Sequence, residues 1–147
     1  AGFEVGLAID HWKDAVATYK HNAPGTNVIC GDIHDLSLSK IKERVAPQDV
    51  IGIIGGPPCQ GFSTVGKRKI DDPRNQLYLE YCRIVELISP RFFVIENVKG
   101  LTTLNNGAVR DDIISRFSAL GYSVTFKVIN AADFGKIASG FSTIPSR

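Results

Sequence analysis

Residues 49–63 read Asp49-Val50-Ile51-Gly52-Ile53-Ile54 and then Gly55-Gly56-Pro57-Pro58-Cys59-Gln60-Gly61-Phe62-Ser63, an apolar run followed by a loop rich in glycine and proline. A short, almost unbroken apolar run that ends at turn residues is typical of a strand buried on both faces of a sheet. Residues 49–54 are therefore predicted to form such a strand. The loop that contains Cys59 is predicted to follow at its carboxyl end.

Strand-like and helix-like stretches alternate on both sides of this segment. Strands are predicted at 3–9, 27–30, 91–96 and 122–129. Helices are predicted at 12–22, 39–45, 76–88 and 108–120, the last one stopped by Gly121. Strands that alternate with helices of this length predict parallel pairing. The predicted fold class is therefore α/β, with a doubly wound, mostly parallel sheet covered on both faces.

Composition places the chain among ordinary globular proteins. Its 147 residues leave room for one domain, and 44% of them are hydrophobic and 22% charged. No apolar run approaches the roughly 20 residues that span a bilayer, and no leader pattern opens the chain. We therefore expect no membrane partner and a cytoplasmic location. The net charge of +2 does not by itself indicate a polyanionic partner.

The three cysteines do not form a disulfide or metal-binding pattern. Cys30, Cys59 and Cys82 are an odd number, without a Cys-x-x-Cys pair or a Cys/His cluster. We predict no metal site, and we predict that Cys30 and Cys82 fill the core. Cys59 differs because it lies in a glycine- and proline-rich loop. From position alone it is either a nucleophile or an unreactive buried thiol, since reactivity requires an electropositive, partly exposed setting.

Polar residues follow several predicted strands at their carboxyl ends. They are Asp10, Asp32, the 55–63 loop and Glu96-Asn97. Ligands of open α/β sheets bind at that edge, so a nucleotide-like ligand is expected there. No Gly-x-Gly-x-x-Gly follows a predicted strand, which excludes a dinucleotide fingerprint. Glu96 is predicted to be a partly desolvated proton donor near Cys59, or a carboxylate that caps the next loop.

Two motifs carry a resemblance to a known family. The heptapeptide Pro57-Pro58-Cys59-Gln60-Gly61-Phe62-Ser63, followed by Glu96-Asn97-Val98, strongly resembles the DNA cytosine carbon-5 methyltransferases. The intervening Asp72-Pro73-Arg74-Asn75-Gln76-Leu77 is similar to the same family. The resemblance runs from about Ala1 to Gly135 and implies the Rossmann-like fold of S-adenosylmethionine-dependent methyltransferases.

The resemblance implies an enzyme that transfers a methyl group from S-adenosylmethionine to carbon 5 of cytosine in double-stranded DNA. Cys59 would attack carbon 6 as the nucleophile, and Glu96 would hydrogen-bond and protonate ring nitrogen 3. The target base would be flipped out of the duplex, because a stacked base cannot reach such a site. A restriction-modification setting is also implied.

The resemblance also assigns binding residues. Those for the cofactor are Asp10 on the ribose, His11 against the adenine, Asp32 on the adenine amino group, and Ile33, Pro58 and Leu77 around them. Those for the nucleic acid are Gln60, Ser63, Thr64, Lys67, Arg68 and Asn97. Charge alone would make the basic cluster near Lys67 a solvated loop, but the family context favours DNA contact.

The sequence departs from the family at three places. No Asp-Leu-Phe-x-Gly-x-Gly-Gly segment is present, so the first and central strand is expected to be missing from the sheet. No Pro-Gln-x-Arg-x-Arg segment follows Gly135, and Arg147 is not assigned that role. The target-recognition domain and the last cofactor motif of the family are also expected to be missing from these residues. We therefore predict a partial catalytic domain at 1–135 and a tail at 136–147 that does not match the family.

These departures predict that the chain is a piece of a longer enzyme or one subunit of a split enzyme. A complementary chain would then supply the first cofactor motif and the recognition domain, and the 147 residues alone would be inactive. Two other functions remain open: a tRNA cytosine carbon-5 methyltransferase, and a catalytically silent DNA-binding homologue. The location would be nuclear rather than cytoplasmic if the source is eukaryotic.

Overall fold

The structure, a computed structural model, describes residues 2–58, 77–130, 133 and 142–143. The chain divides into two compact units, Ala1–Val50 and Ile51–Arg147, which we call unit 1 and unit 2. Each unit contains its own hydrogen-bonded sheet.

Unit 1 is built on two parallel strands joined by a helix. Strand β1 (Leu7–Asp10) pairs with β2 (Asn27–Cys30), and Asp10 is the register partner of Cys30. Helix α1 (Lys13–Asn22) connects them, as parallel pairing requires a crossover. The side-chain amide of Asn27 donates hydrogen bonds to the carbonyls of Gly6 and Arg44, at 3.2 and 3.1 Å. These bonds fix the start of β2.

Short helical turns follow β2. Asp32 caps a 3-10 turn at Ile33–Asp35, and Ser37 caps helix α2 (Leu38–Lys42). In both caps a side-chain oxygen accepts a backbone N–H that would otherwise lack a partner at a helix start. A further 3-10 turn, Pro47–Asp49, begins at a proline, whose fixed φ suits the first position of a helix.

Unit 2 repeats the strand–helix–strand pattern and adds helices. Strand β3 (Gly52–Gly55) and strand β4 (Phe92–Glu96) are parallel and are joined through helix α3 (Leu77–Ile88). Helix α4 (Gly100–Thr103), a 3-10 turn at Leu104–Gly107 and helix α5 (Ala108–Ala119) follow. Strand β5 (Ser142–Thr143) pairs antiparallel with the last residues of β4.

The core of unit 2 is an aromatic cluster between α3, α5 and β4. Phe93 and Phe117 stack with ring centroids 3.9 Å apart, and Tyr122 meets Phe93 edge-on at 5.1 Å. Tyr81 meets both phenylalanines edge-on at 6.3 Å. Such ring pairs add to the free energy gained by burying their apolar area. The same cluster therefore holds β4 and the two longer helices of unit 2 together.

The predicted α/β alternation is confirmed, and several elements fall where the sequence placed them. The predicted strand at 27–30 is β2, and the predicted helices at 12–22, 76–88 and 108–120 correspond to α1, α3 and α5. Gly121 ends α5 with a φ of +87°, which a glycine adopts without strain. Cys82 is buried, as predicted, and burial raises the pKa of its thiol to about 11.

Four structural predictions are wrong, and one strand pairing was not predicted. Strand β1 begins at Leu7 rather than Phe3, and no strand is described at 122–129, where Ser123 and Lys127 form isolated bridges. Cys30, the last residue of β2, is exposed rather than in the core. Ile54 is 74% exposed, so β3 is not buried on both faces. The pairing of Ser142 and Thr143 with β4 lies in the predicted tail and was missed.

Among the described residues, no helix is long and apolar enough to cross a membrane. The division into a domain at 1–135 and a tail at 136–147 stays a prediction.

Candidate active site

The carboxyl ends of β3 and β4 bring the predicted acid close to the start of the Cys59 loop. Glu96 is the last residue of β4, and Gly56 follows directly after β3. A Cβ placed on Gly56 would lie 3.1 Å from Oε2 of Glu96, so the carboxylate rests against the backbone of Gly56. A larger residue at this position would require the carboxylate to move by a few tenths of an ångström. Glu96 therefore lies beside the turn that leads to Cys59.

Glu96 is exposed rather than partly desolvated. The predicted partial desolvation is wrong: Phe93 and Ile95 of β4 are buried, whereas Glu96 at the end of the strand is exposed. Its position at the strand end is nevertheless the predicted one. A carboxylate there is accessible to a ligand at that edge.

Asn97 connects the two strand ends directly. Its side-chain Nδ2 donates a hydrogen bond of 2.9 Å to the carbonyl of Pro57, and its Oδ1 accepts from the N–H of Val98 at 2.9 Å. The partners are 40 residues apart in sequence, so this bond is a tertiary contact. The prediction that Asn97 contacts nucleic acid stays untested, whereas its contact with Pro57 is a role that the sequence did not indicate.

The remaining catalytic-loop residues lie outside the described part of the chain. They are Cys59, Gln60, Ser63, Thr64, Lys67 and Arg68. Pro58, the last described residue before them, is exposed, and Leu77, the first after them, is half-buried. The cofactor roles of Pro58 and Leu77 stay predictions.

The ends of β1 and β2 in unit 1 carry the two acids predicted to hold the cofactor. Asp10 ends β1, and its Oδ1 accepts the N–H of Trp12 at 2.8 Å. His11 is 86% exposed, with its Nδ1 3.7 Å from Oδ1 of Asp10. The N–H of Gly31 donates to the carbonyl of Asp10 at 3.0 Å. The two strand ends are thus hydrogen-bonded neighbours, and Asp32 follows Gly31 immediately.

Asp32 is held by its neighbour His34. Its Oδ1 accepts the backbone N–H of His34 at 2.9 Å and lies 2.6 Å from Nδ1 of the ring. The backbone hydrogen bond, and then the ring, hold the pKa of Asp32 below its ordinary value. Ile33 lies between them and is half-buried. Asp32 is therefore an exposed carboxylate with a fixed orientation, and His34 is a contributor that the sequence analysis missed.

The described residues contain no group of three or more side chains arranged to hold a metal ion. What they present instead is a set of carboxylates at the ends of parallel strands. Acids at the ends of β1 and β2, with Glu96 at the end of β4, are hydrogen-bond acceptors suited to a nucleoside or a base. Parallel strands joined by helices, with acids after their carboxyl ends, define each unit as part of the Rossmann-like class of α/β proteins.

Comparison with solved structures supports that class. A DNA modification methyltransferase encoded by an Escherichia coli prophage superposes with a TM-score of 0.82 at 33% identity, over 99% of this chain and 41% of that one. A mutant of DNMT2 from Spodoptera frugiperda superposes with a TM-score of 0.75 at 27% identity, over 100% of this chain and 44% of that one. The fold is that of the S-adenosylmethionine-dependent methyltransferases.

The chain belongs to the family of C-5 cytosine-specific DNA methylases, whose model matches residues 1–138. Type II methyltransferase M.AgeI of Thalassovita gelatinovora is 45% identical over 137 residues, which are 92% of this chain and 32% of that protein. The chain thus spans about a third of the length of this curated relative. The family resemblance read from the Cys59 and Glu96 motifs is confirmed.

Proposed function

We propose that this chain carries the catalytic core of a DNA cytosine carbon-5 methyltransferase of the restriction-modification type. The observation that carries the proposal is the contact of Glu96 with Gly56, together with the bond from Asn97 to Pro57. These contacts join the end of the acid's strand to the turn that precedes Cys59. Membership of the cytosine-specific family and similarity to a Type II methyltransferase support the same activity.

In the proposed reaction the thiolate of Cys59 forms a bond to carbon 6 of cytosine, and the ring electrons move towards carbon 5. Glu96 holds ring nitrogen 3 and supplies a proton there as negative charge develops. S-adenosylmethionine, when bound, supplies the methyl group that carbon 5 takes. The proton on carbon 5 then leaves to solvent water, and the proton on ring nitrogen 3 returns to Glu96. The bond to Cys59 breaks, the thiolate is released, and the aromatic ring is restored.

The acids of unit 1 fit the cofactor. Asp10 and Asp32 are exposed carboxylates at adjacent, hydrogen-bonded strand ends, which suits hydroxyl and amino donors of an adenosine. We assign Asp10 to the ribose hydroxyls and Asp32 to the adenine amino group. His11 and Ile33 would lie against the adenine ring. The proposed nucleic-acid contacts of Gln60, Ser63, Thr64, Lys67 and Arg68 follow from the family pattern.

The sheet of unit 2 supports an additional strand beside β3. Among the described residues β3 pairs with β4 on one side and with no strand on the other. A strand with the Asp-Leu-Phe-x-Gly pattern would fit beside β3. The rest of the polypeptide or a complementary chain would supply it. A cytoplasmic location, or a nuclear one in a eukaryote, stays a prediction.

The test is methyl transfer by the full-length protein from labelled S-adenosylmethionine to duplex DNA and, separately, to tRNA. We expect labelled 5-methylcytosine in DNA and a stable covalent adduct with duplexes that contain 5-fluorocytosine. Replacing Cys59 by Ser should abolish both. The matched control is Cys30→Ser, an exposed thiol in unit 1, which should retain both. Glu96→Gln should lower kcat by about 10²–10⁴-fold.

Other outcomes distinguish the alternatives. Transfer to tRNA alone would establish the RNA enzyme and contradict the proposal. A protein that binds DNA but transfers no methyl group would be the silent homologue, whether or not it binds S-adenosylmethionine. If Cys30→Ser is as inactive as Cys59→Ser, the loss of activity does not identify Cys59 as the nucleophile.

A further inference from the structure

We infer that Tyr81 is a positioning residue that fixes where the Cys59 loop and Glu96 leave the sheet; this inference rests on the proposed function. Tyr81 lies on α3, outside both sequence motifs, and touches neither substrate nor cofactor in the proposed reaction. Its hydroxyl instead connects the two strands that carry the reacting groups.

The hydroxyl of Tyr81 lies 3.0 Å from the carbonyl of Ile53 in β3 and 3.0 Å from the carbonyl of Val94 in β4. Each carbonyl is two residues before the end of its strand, at Gly55 and Glu96 respectively. One donor shared by two acceptors holds both strand ends at once. A shift of one strand along the other would break one of the two bonds.

The ring of Tyr81 is as constrained as its hydroxyl. The side chain is 4% exposed, and a Cβ on Gly55 would lie 2.7 Å from the ring. The ring therefore packs directly on the backbone of Gly55, the last residue of β3. Burial raises the pKa of Tyr81 far above its ordinary value, so the hydroxyl keeps the proton that it donates.

The chain beyond these two bonds leads directly to the reacting groups. After β3, Gly56 packs against the Glu96 carboxylate and Pro57 accepts from Asn97. Cys59 follows Pro57 by two residues, a reach of about 7 Å at most along an extended chain. A displacement of either strand end would therefore change the distance between Cys59 and Glu96. Misplacing reacting groups by about 1 Å can cost about a hundredfold in rate.

Tyr122 provides a matched control in the same core. It is also 4% exposed, and its hydroxyl donates a bond of 2.6 Å to the carbonyl of Pro90. Pro90 precedes β4, so this bond lies at the opposite end of the strand from Glu96. Tyr122→Phe and Tyr81→Phe each remove one buried hydroxyl that bonds to backbone. They differ in which end of the strand they release.

The experiment compares Tyr81→Phe, Tyr122→Phe and the unaltered full-length protein. It measures kcat, the KM for S-adenosylmethionine, the rate of adduct formation with 5-fluorocytosine DNA, and the midpoint of thermal unfolding. For Tyr81→Phe we expect kcat and the rate of adduct formation to fall together by about tenfold to a hundredfold, with the KM nearly unchanged. For Tyr122→Phe we expect a similar loss of thermal stability and an unchanged kcat.

Equal kcat values for the two variants would overturn the inference, as would a change in thermal midpoint alone. If the unaltered protein transfers no methyl group, the proposed function fails instead. If Tyr81→Phe does not fold, Gly55→Ala displaces the same ring, with Gly52→Ala as its control against the ring of Phe92. A lowered kcat for Gly55→Ala, with an unchanged kcat for Gly52→Ala, would support the inference. Equal kcat values for the two variants would contradict it.

Discussion

Units 1 and 2 share a strand–helix–strand plan but hold their candidate site residues by different means. In unit 1, Asp10 and Asp32 are oriented by the residues two positions ahead of them, Trp12 and His34. In unit 2 the strand ends are held by partners from distant parts of the chain, such as Tyr81. Local bonds orient a side chain, whereas long-range contacts fix one backbone segment relative to another.

The hydrophobic core of unit 2 is also more completely buried than that of unit 1. The buried apolar side chains described in unit 1 are Val16, Leu36 and Ile41, each 3–5% exposed. Unit 2 has a stacked aromatic cluster in which Phe93 and Phe117 are almost completely enclosed. Rigid packing of this kind transmits small shifts rather than absorbing them. The geometry of the carboxyl ends of β3 and β4 should therefore depend on the core of unit 2, and the orientation of Asp10 and Asp32 in unit 1 should depend on their loops.

The largest expected effect on stability comes from truncating a buried side chain in the core of each unit. Phe117→Ala should destabilise unit 2 by about 3–5 kcal/mol, because it leaves a cavity beside a stacked ring. Ile41→Ala in unit 1 should cost about 2 kcal/mol, at the low end for such changes, because its surroundings are less enclosed. Hydrogen exchange of peptides from α5 and α1 in the full-length protein measures each loss separately. A larger loss for Ile41→Ala would contradict the comparison.

A smaller effect is expected at two glycines. A Cβ on Gly52 in unit 2 would lie 2.2 Å from the ring of Phe92, whereas one on Gly25 in unit 1 would meet nothing within 4 Å. Gly52→Ala should therefore cost roughly 1–3 kcal/mol through overpacking. Gly25→Ala should be neutral or stabilise by about 0.4–1 kcal/mol, because it restricts the unfolded chain. Urea unfolding measures both, and equal values would show that unit 2 is not more tightly packed here.

The smallest expected effect is on the pKa values of two carboxyl groups, Asp112 in unit 2 and Asp32 in unit 1. Burial opposes ionisation of Asp112, but hydrogen bonds from Arg116 and Tyr78 outweigh it and lower the pKa of Asp112. Arg116→Ala should therefore raise that pKa above its ordinary value. For Asp32, His34→Ala retains the backbone N–H that is the main cause of its lowered pKa. The pKa of Asp32 should thus stay below its ordinary value, as carbon-13 NMR titration of the carboxyl groups would measure.

The sign of the pH effect follows from the lowered pKa of Asp112. Its contribution to stability is fully present above the ordinary carboxyl pKa of about 4 and is lost as the pH falls through the lower folded-state value. The pair with Arg116 is about half exposed, so this contribution should be about 0.3–1 kcal/mol. A loss of stability that begins near neutral pH would not come from this carboxylate.

Local pattern explains which predictions succeeded. The α/β alternation, the bounds of β2 and the end of α5 at Gly121 follow from residues that are neighbours in the chain. The acids at the ends of β1, β2 and β4 were predictable for the same reason, since a strand end is a local feature. The family itself was predictable because the residues around Cys59 and Glu96 form two specific motifs in the correct order.

Contacts between distant residues explain which predictions failed. The exposure of Cys30, Ile54 and Glu96 depends on what packs over each strand, which no local pattern encodes. The pairing of residues 142–143 with β4 joins segments about 47 residues apart. The sequence by itself thus determined the class of fold and the family, because both rest on short patterns. Only the tertiary structure assigned Tyr81 and Asn97 to the strand ends, because hydrogen bonds across 13 to 40 residues form only when the chain is folded.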